Sequence, residues 1–276
     1  MVLRSSSREA HAEARARLDE LAARPEATVD SLARLGEDLF AVVDLLGHEI
    51  GLRRVLSDAS RSAEARSGLV SSLLADRIGA DALALTSAAA QARWSTPRDL
   101  VDTLEEVAVE AIAASAQQAG RLDDVEDELF RFGRVVAGDP ALRAALTDAA
   151  LPDERKSGLV EALLAGRAAP ATVTLVRRAI AVAQGSGFEQ ALTRFAQIAA
   201  QRRARLVAHV RVARPLDPAQ RERLRSGLTR TYGREVHLNV EVDPSVLGGV
   251  EVRIGDEVID GSVASRLDEA RRRLAG

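Results

Sequence analysis

Cysteine is absent from the chain, which excludes disulfides, thiolate metal sites and cysteine nucleophiles together. Aromatic residues are only 3% of the 276, and Trp94 and Tyr232 are the single members of their types. A core so poor in rings has to be built from Ala, Leu and Val, which favours helices packed closely through small side chains. Lysine is almost missing, with Lys156 alone among 38 basic residues, a bias that points to a GC-rich coding sequence rather than to a physical demand. An excess of positive charge is missing too. The formal net charge is −3, so the electrostatic footprint of a nucleic-acid binder is not evident. No apolar run approaches the ~20 residues that cross a bilayer. The segment Met1 to Ala23 alternates Arg, Glu and Ala without the apolar stretch of a secretory signal. These absences lead us to expect a soluble intracellular protein that can dock onto a membrane complex.

With 46% hydrophobic residues the chain can bury a sizeable core, and its length suits two or three domains. From Ser7 to about Gln201 apolar residues recur at three and four positions, as in Leu32, Leu35, Leu39, Val42, Val43 and Leu46, the period of an amphipathic helix. Arg24-Pro25, Gly138-Asp139-Pro140, Leu151-Pro152-Asp153 and Gly185-Ser186-Gly187 interrupt the pattern as helix–helix turns.

The helical part repeats at a shift of ninety positions. Leu39-Phe40 returns as Leu129-Phe130, Leu56-Ser57-Asp58-Ala59 as Leu146-Thr147-Asp148-Ala149, and Ser67-Gly68-Leu69-Val70 as Ser157-Gly158-Leu159-Val160. About sixteen of roughly forty ungapped positions are identical, including Phe, Gly, Asp and Arg at one offset. The pattern predicts two related helical-bundle domains, 1–105 and 106–204. Arg98 to Gln118 contains neither Gly nor Pro, so one continuous helix is expected to end the first copy and begin the second.

After Arg205 the period changes to two. Leu206, Ala208, Val210 and Val212 alternate with Val207, His209 and Arg211, and Val236, Leu238, Val240 and Val242 with His237, Asn239 and Glu241. Between them Asp217-Pro218 with Gln220 opens a helix through a capping box and a proline at its first position. Val250–Ile254 and Glu257–Asp260 flank Gly255-Asp256 as a hairpin, and Ser262 caps a closing helix. The expected fold is mainly α: two helical bundles, then a small α+β domain, 205–276, of order β-α-β-β-β-α.

No motif carries chemistry. Gly248-Gly249 leads into a strand and not into a helix N-terminus, so it is no phosphate loop. His11, His48, His209 and His237 lie in different elements without metal-ligand spacing, and no carboxylate pair stands in an unusual apolar setting. Arg202-Arg203-Arg205 and Arg271-Arg272-Arg273 read as helix C-termini complemented by positive charge. No catalytic residue, cofactor or metal is expected.

The run from Val242 to Val263, with Asp243, Pro244, Leu247, Gly248, Gly249, Gly255, Asp260, Gly261 and Ser262, continued by Arg266 and Leu267, resembles the carboxy-terminal signature of the F-type ATP synthase delta subunit family, the bacterial relatives of the mitochondrial oligomycin-sensitivity-conferring protein. Val210-Arg211-Val212-Ala213-Arg214-Pro215-Leu216-Asp217 resembles the family's strand-to-helix entry, and Ala119-Gly120-Arg121-Leu122 and the stretch from Leu146 to Lys156 resemble its helical domain. The family pattern needs one helical domain, and the repeat accounts for the surplus of about a hundred residues.

The resemblance implies a non-catalytic stator subunit on the cytoplasmic face of the bacterial plasma membrane. It implies as partners the amino-terminal segment of an alpha subunit, held by the helical domain, and the b subunits of the peripheral stalk, held by the α+β domain. It implies no nucleic acid and no membrane contact except through the complex. By family analogy the alpha groove lies between the first and fifth helices of the second copy, near Val107, Ala111 and Ile112 against Val173, Val176 and Ile180. The first copy, whose counterpart of Leu151-Pro152-Asp153 is Arg61-Ser62-Ala63, is expected to brace the stalk or head instead of repeating alpha binding. Composition and repeat alone equally suit a helical-repeat adaptor or scaffold unrelated to ATP synthase, and the α+β domain alone could serve as an RNA-binding module.

Overall fold

The stripe Leu32, Leu35, Leu39, Val42, Val43 and Leu46 becomes the buried face of α2 (Val29–His48), started by a capping box between Thr28 and Ser31. This is seen in a computed structural model that describes residues 5–148, 150–182, 187–204, 206–232, 236–244, 246, 249–254 and 257–260. The chain forms two compact units, Met1–Arg203 and Ala204–Gly276.

The first unit is helical throughout: α1 (Ser5–Ala22), α2, α3 (Ile50–Ser57), α4 (Ala63–Leu74), α5 (Ala80–Gln91), α6 (Pro97–Gln118), α7 (Leu122–Gly138), α8 (Pro140–Thr147), α9 (Asp153–Leu164), α10 (Pro170–Val182) and α11 (Gly187–Ala204). The starts of α8, α9, α10 and α11 each lie ninety positions after those of α3, α4, α5 and α6. Tertiary contacts repeat at the same interval. The Asp38 carboxylate accepts the Gly79 N–H at 2.8 Å, and the Glu128 carboxylate accepts the Ala169 N–H at 2.8 Å. In both copies an acid on the second helix thus satisfies an orphan donor ahead of the fifth. Arg66 and Lys156, also ninety apart, are both buried cations. Arg66 donates to the carbonyls of Leu56, Gln91 and Ala92, closing the ends of α3 and α5.

The expected continuous helix is α6. Thr96 caps it through a capping box with Asp99, and Pro97 occupies its first turn. It is the sixth helix of the first copy and the first of the second, so the boundary at 105/106 falls inside one helix of one compact unit. Every residue from Val107 to Ala116 is buried, since α1, α2, α3, α5, α7 and α10 all pack on it. A helix apolar all round has to be surrounded.

Gly36 sets the closest approach in this core. A Cβ there would lie 2.6 Å from Ile112 Cδ1 and 3.0 Å from the Ala108 carbonyl oxygen. Ion pairs of two buried arginines then join the copies. Arg178 of α10 meets Asp44 of α2 at 2.5 Å and Glu105 of α6 at 3.3 Å, and Arg202 of α11 meets Asp19 of α1 at 2.9 Å.

The second unit holds β1 (Leu206–Val212), α12 (Pro218–Tyr232), β2 (Val236–Val242), β3 (Val250–Ile254) and β4 (Glu257–Asp260), in the strand order β2-β1-β3-β4. β1 runs parallel to β2 across the α12 crossover and antiparallel to β3, and β3 is antiparallel to β4. Alternation places Ala208, Val210 and Val212 against Leu228 of α12, while His209 faces out. Asp217 and Gln220 make the expected capping box. At the edge strand β2 burial fades, from Val236 buried to Val242 at 47% exposure. The expected closing helix after Ser262 lies outside the described residues.

Two glycines at helix interiors should respond to alanine in opposite senses. Gly36→Ala should destabilise the chain by about 1–3 kcal/mol, because Ile112 and the α6 backbone have to move. Gly133→Ala places its Cβ 3.7 Å from Leu192 Cδ1, an ordinary contact, and should stabilise by about 0.5–1 kcal/mol. Urea midpoints of the two variants against the parent chain check both signs.

Candidate functional site

Among the described residues no three His, Cys, Asp or Glu side chains come together as metal ligands. The histidines stay apart: His11 meets Glu106 at 3.1 Å, His48 Nδ1 lies 2.7 Å from the Asp44 carbonyl, and His209 lies 3.4 Å from Asn239. The side chain of His237 lies outside the described residues.

One carboxylate does sit in an unusual place, and the sequence reading missed it. Glu110 of α6 is 0% exposed, between Val109 and Ala111. Burial pushes its carboxyl up to about 7, against the pull of Arg15, whose Nε lies 2.7 Å away on α1; Asp19 of α1 raises it further and Arg202 of α11 opposes. The signal was available, since Glu110 is the lone charge in the run Val107–Ala116, whose other members are small or apolar. One turn earlier, burial raises Glu106, but the His11 hydrogen bond and the charges of His11, Arg15 and Arg194 outweigh it and hold the group below its usual range.

The two arginines at the end of α11 do more than complement its dipole. Arg202 is buried and donates to Asp19 and to Gln117 of α6, at 2.9 Å each. Arg203 reaches Glu126 at 3.0 Å and Asp123 at 3.5 Å on α7.

The six expected groove residues lie on α6 and α10, as the pattern required, but on covered faces. Val107, Ala111, Ile112, Val176 and Ile180 are at most 4% exposed, and Val173 is partly buried against the same core. Helix α2 lies along α6, and its Phe40 and Asp44 touch Arg178 of α10. A helix of the first copy therefore occupies the side of α6 where an outside helix was expected. One open groove of this unit lies elsewhere, between α7 and α11. It encloses about 540 Å3 and exposes Phe130 at 64%.

In the second unit the signature residues build turns. Asp243 receives the Arg211 guanidinium, which also meets Glu251 at 3.1 Å, so the chain leaving β2 is fastened to β1 and β3. Its backbone N–H donates to the Val212 carbonyl at 2.9 Å. Pro244 follows in the turn. Gly249 has φ +81°, a left-handed conformation that a Cβ disfavours. Asp260 pairs with Glu251 in the β3/β4 register. Leu247, Gly248, Gly255, Gly261, Ser262, Arg266 and Leu267 lie outside the described residues.

The family model for the ATP synthase delta (OSCP) subunit matches residues 109–274. The chain belongs to that family. Its matched range starts within α6, where the second copy begins. The preceding copy is shared with relatives. ATP synthase subunit delta of Streptomyces avermitilis is 49% identical over 275 residues, covering 100% of both chains. The subunit of the same name from Kineococcus radiotolerans is 51% identical over 88% of each. A chain in the Toxoplasma gondii mitochondrial ATP synthase hexamer is 17% identical, with a TM-score of 0.28 over 61% of this chain and 95% of that one; so loose a superposition carries no argument. Like its family, this chain is a subunit of the ATP synthase complex. Among its described residues no helix is long and apolar enough to cross a membrane.

Glu110 predicts a pH effect of definite sign. An unfolded chain releases this proton near pH 4.5, whereas the folded chain holds it to about 7. Across that window the unfolded state binds fewer protons, so this group's contribution to stability falls as pH rises, by on the order of 3 kcal/mol in total. Glu110→Gln should remove that slope. Urea unfolding at about pH 5 and about pH 8 should show the variant gaining on the parent at the higher pH.

Proposed function

We propose that this chain is a non-catalytic stator subunit, joining the catalytic head of an F-type ATP synthase to its peripheral stalk so that the head does not turn with the rotor. The observation that carries the reading is end-to-end similarity, 49% over both whole chains, to a protein named ATP synthase subunit delta. The architecture suits a part that works by contact. A connector under load needs broad surfaces on well-tied elements, and the two helical copies share α6 and are cross-linked by Arg178 and Arg202.

In this reading the helical unit takes the amino-terminal segment of an alpha subunit, and the α+β unit takes the b subunits. The protein then sits on the cytoplasmic face of the bacterial membrane, attached only through its neighbours. The positions Val107, Ala111, Ile112, Val173, Val176 and Ile180 can receive the alpha segment only if α2 moves aside, because these side chains are covered in the chain alone. The first copy braces the stalk or the adjacent head surface, where its exposed Ile50 and Leu73, at 51% and 43%, are available for contact. Deleting that copy is a poor test, since it would strip α1, α2, α3 and α5 from α6 and expose a buried core face.

Capture of the tagged full chain from detergent-solubilised membranes should bring down both alpha and b subunits. Recovery of neither subunit would sink the stator reading. The Ile50→Glu, Leu73→Glu double variant should retain alpha but lose b or head contacts several-fold to salt washing. Retention equal to the parent chain would remove the bracing role while leaving the stator role standing.

A further inference from the structure

Helix α1 is held to the rest of the helical unit by polar groups more than by apolar ones. Leu18 and Leu21 are the apolar side chains larger than alanine that it buries, where α2 buries seven from Leu32 to Leu46. The seam facing α6 and α11 is instead a ladder with a rung at every fourth residue. Ser7 Oγ donates to Asp99 at 2.6 Å, His11 meets Glu106 at 3.1 Å, Arg15 meets Glu110 at 2.7 Å, and Asp19 meets Arg202 at 2.9 Å. These rungs lie largely out of water, with Ser7 and Glu110 at 0% exposure and Arg202 at 7%. A dry polar seam holds only while each group meets its partner in a suitable charge state, a condition that apolar packing does not impose.

The chain is fastened again immediately after α1. Arg24 pairs with Asp81 of α5 at 3.1 Å, and the Ala27 carbonyl accepts from Gln118 of α6 at 2.7 Å. Lifting α1 therefore needs a bend only between its end and Arg24, and α2 can stay seated. The lift uncovers an acidic stripe on α6, made of Asp99, Glu106 and Glu110. Facing Glu110 are Arg15 and Asp19 from α1, Arg202 from α11 and Glu106 from α6 itself. Two cations and two carboxylates offset one another there, which leaves burial in control of the Glu110 proton.

We infer that α1 is a pH-sensitive strap, which opens from α6 and α11 as a unit while α2 to α11 stay folded, and opens more readily as pH rises through neutrality. The seated strap keeps the Glu110 carboxyl dry, where its proton is held to about 7. The lifted strap gives that carboxyl to water, where the proton leaves near 4.5. The seated form thus binds more protons across this window. Raising the pH favours the lifted form, by about tenfold between about pH 6 and about pH 8. Partial opening is drawn from elements with few buried apolar contacts, and α1 is such an element. The inference concerns the helical unit alone and does not depend on the stator reading.

Hydrogen exchange of the full chain reads this opening, followed by mass spectrometry at about pH 6 and about pH 8 and corrected for the pH dependence of the chemical step. Amides from Ala10 to Leu21 should be at least about tenfold less protected than those of α2 at both values. Their protection should fall by about tenfold from the lower pH to the higher. In Glu110→Gln, which has no proton to release there, α1 protection should be the same at both. The parent chain alone already separates a strap from a rigid bundle. Equal protection of α1 and α2 at both pH values would mean that α1 leaves only when the whole unit unfolds, and would overturn the proposal. So would α1 protection in the parent that does not change with pH, or a fall in Glu110→Gln as large as the parent's.

Discussion

The burial of α6 on every side is the constraint from which the rest of the helical unit follows. A single helix serves as the last of one bundle and the first of the next, so neither copy can be completed without the other's helices lying on it. Ten consecutive positions, Val107 to Ala116, are covered, and nine of them are small or apolar. The tenth, Glu110, keeps its place by carrying a raised pKa and by facing Arg15. A bundle whose central helix is built from alanine and valine needs close backbone approach, and Gly36 provides it.

Sharing a helix also breaks the symmetry of the duplication. Within each copy the same devices recur, down to the carboxylate that holds the N–H ahead of the fifth helix. Between copies they cannot, because a two-member array has one inner face and one outer face. The inner faces are joined by Arg178 and Arg202, buried cations with carboxylates and a glutamine amide around them. Truncating a carboxylate that faces Arg178 or Arg202 leaves a buried guanidinium short of a partner, so single losses at these links are costly. The outer face, at Phe130, is the same surface without its cover.

Much of the chain was legible in its sequence, for reasons that differ by region. The helix start at Asp217-Pro218 and the break at Gly138-Asp139-Pro140 were readable because capping and proline chemistry is local. The strand β1 was readable because its buried phase is strict, and β2 less fully so, since at a sheet edge Val242 meets solvent although it stays in phase. The continuity of α6 followed from an absence of Gly and Pro. The groove residues on α6 and α10 show the limit. Their apolar character was evident, but an apolar position is the same in sequence whether its cover is an outside helix or α2.

Local periodicity, caps and the ninety-residue echo thus determined the elements and their order, and the run from Val242 to Val263 carried the resemblance to the family, because each depends on residues near in sequence or on simple identity. The tertiary structure alone decided which faces are covered. That Phe40 is buried and Phe130 open, and that Glu110 titrates near neutrality, depend on α10, α1 and α11 returning to α2, α7 and α6 over distances at which no local signal survives. Burial is a property of the neighbours that the fold brings, and identical motifs ninety residues apart receive different ones.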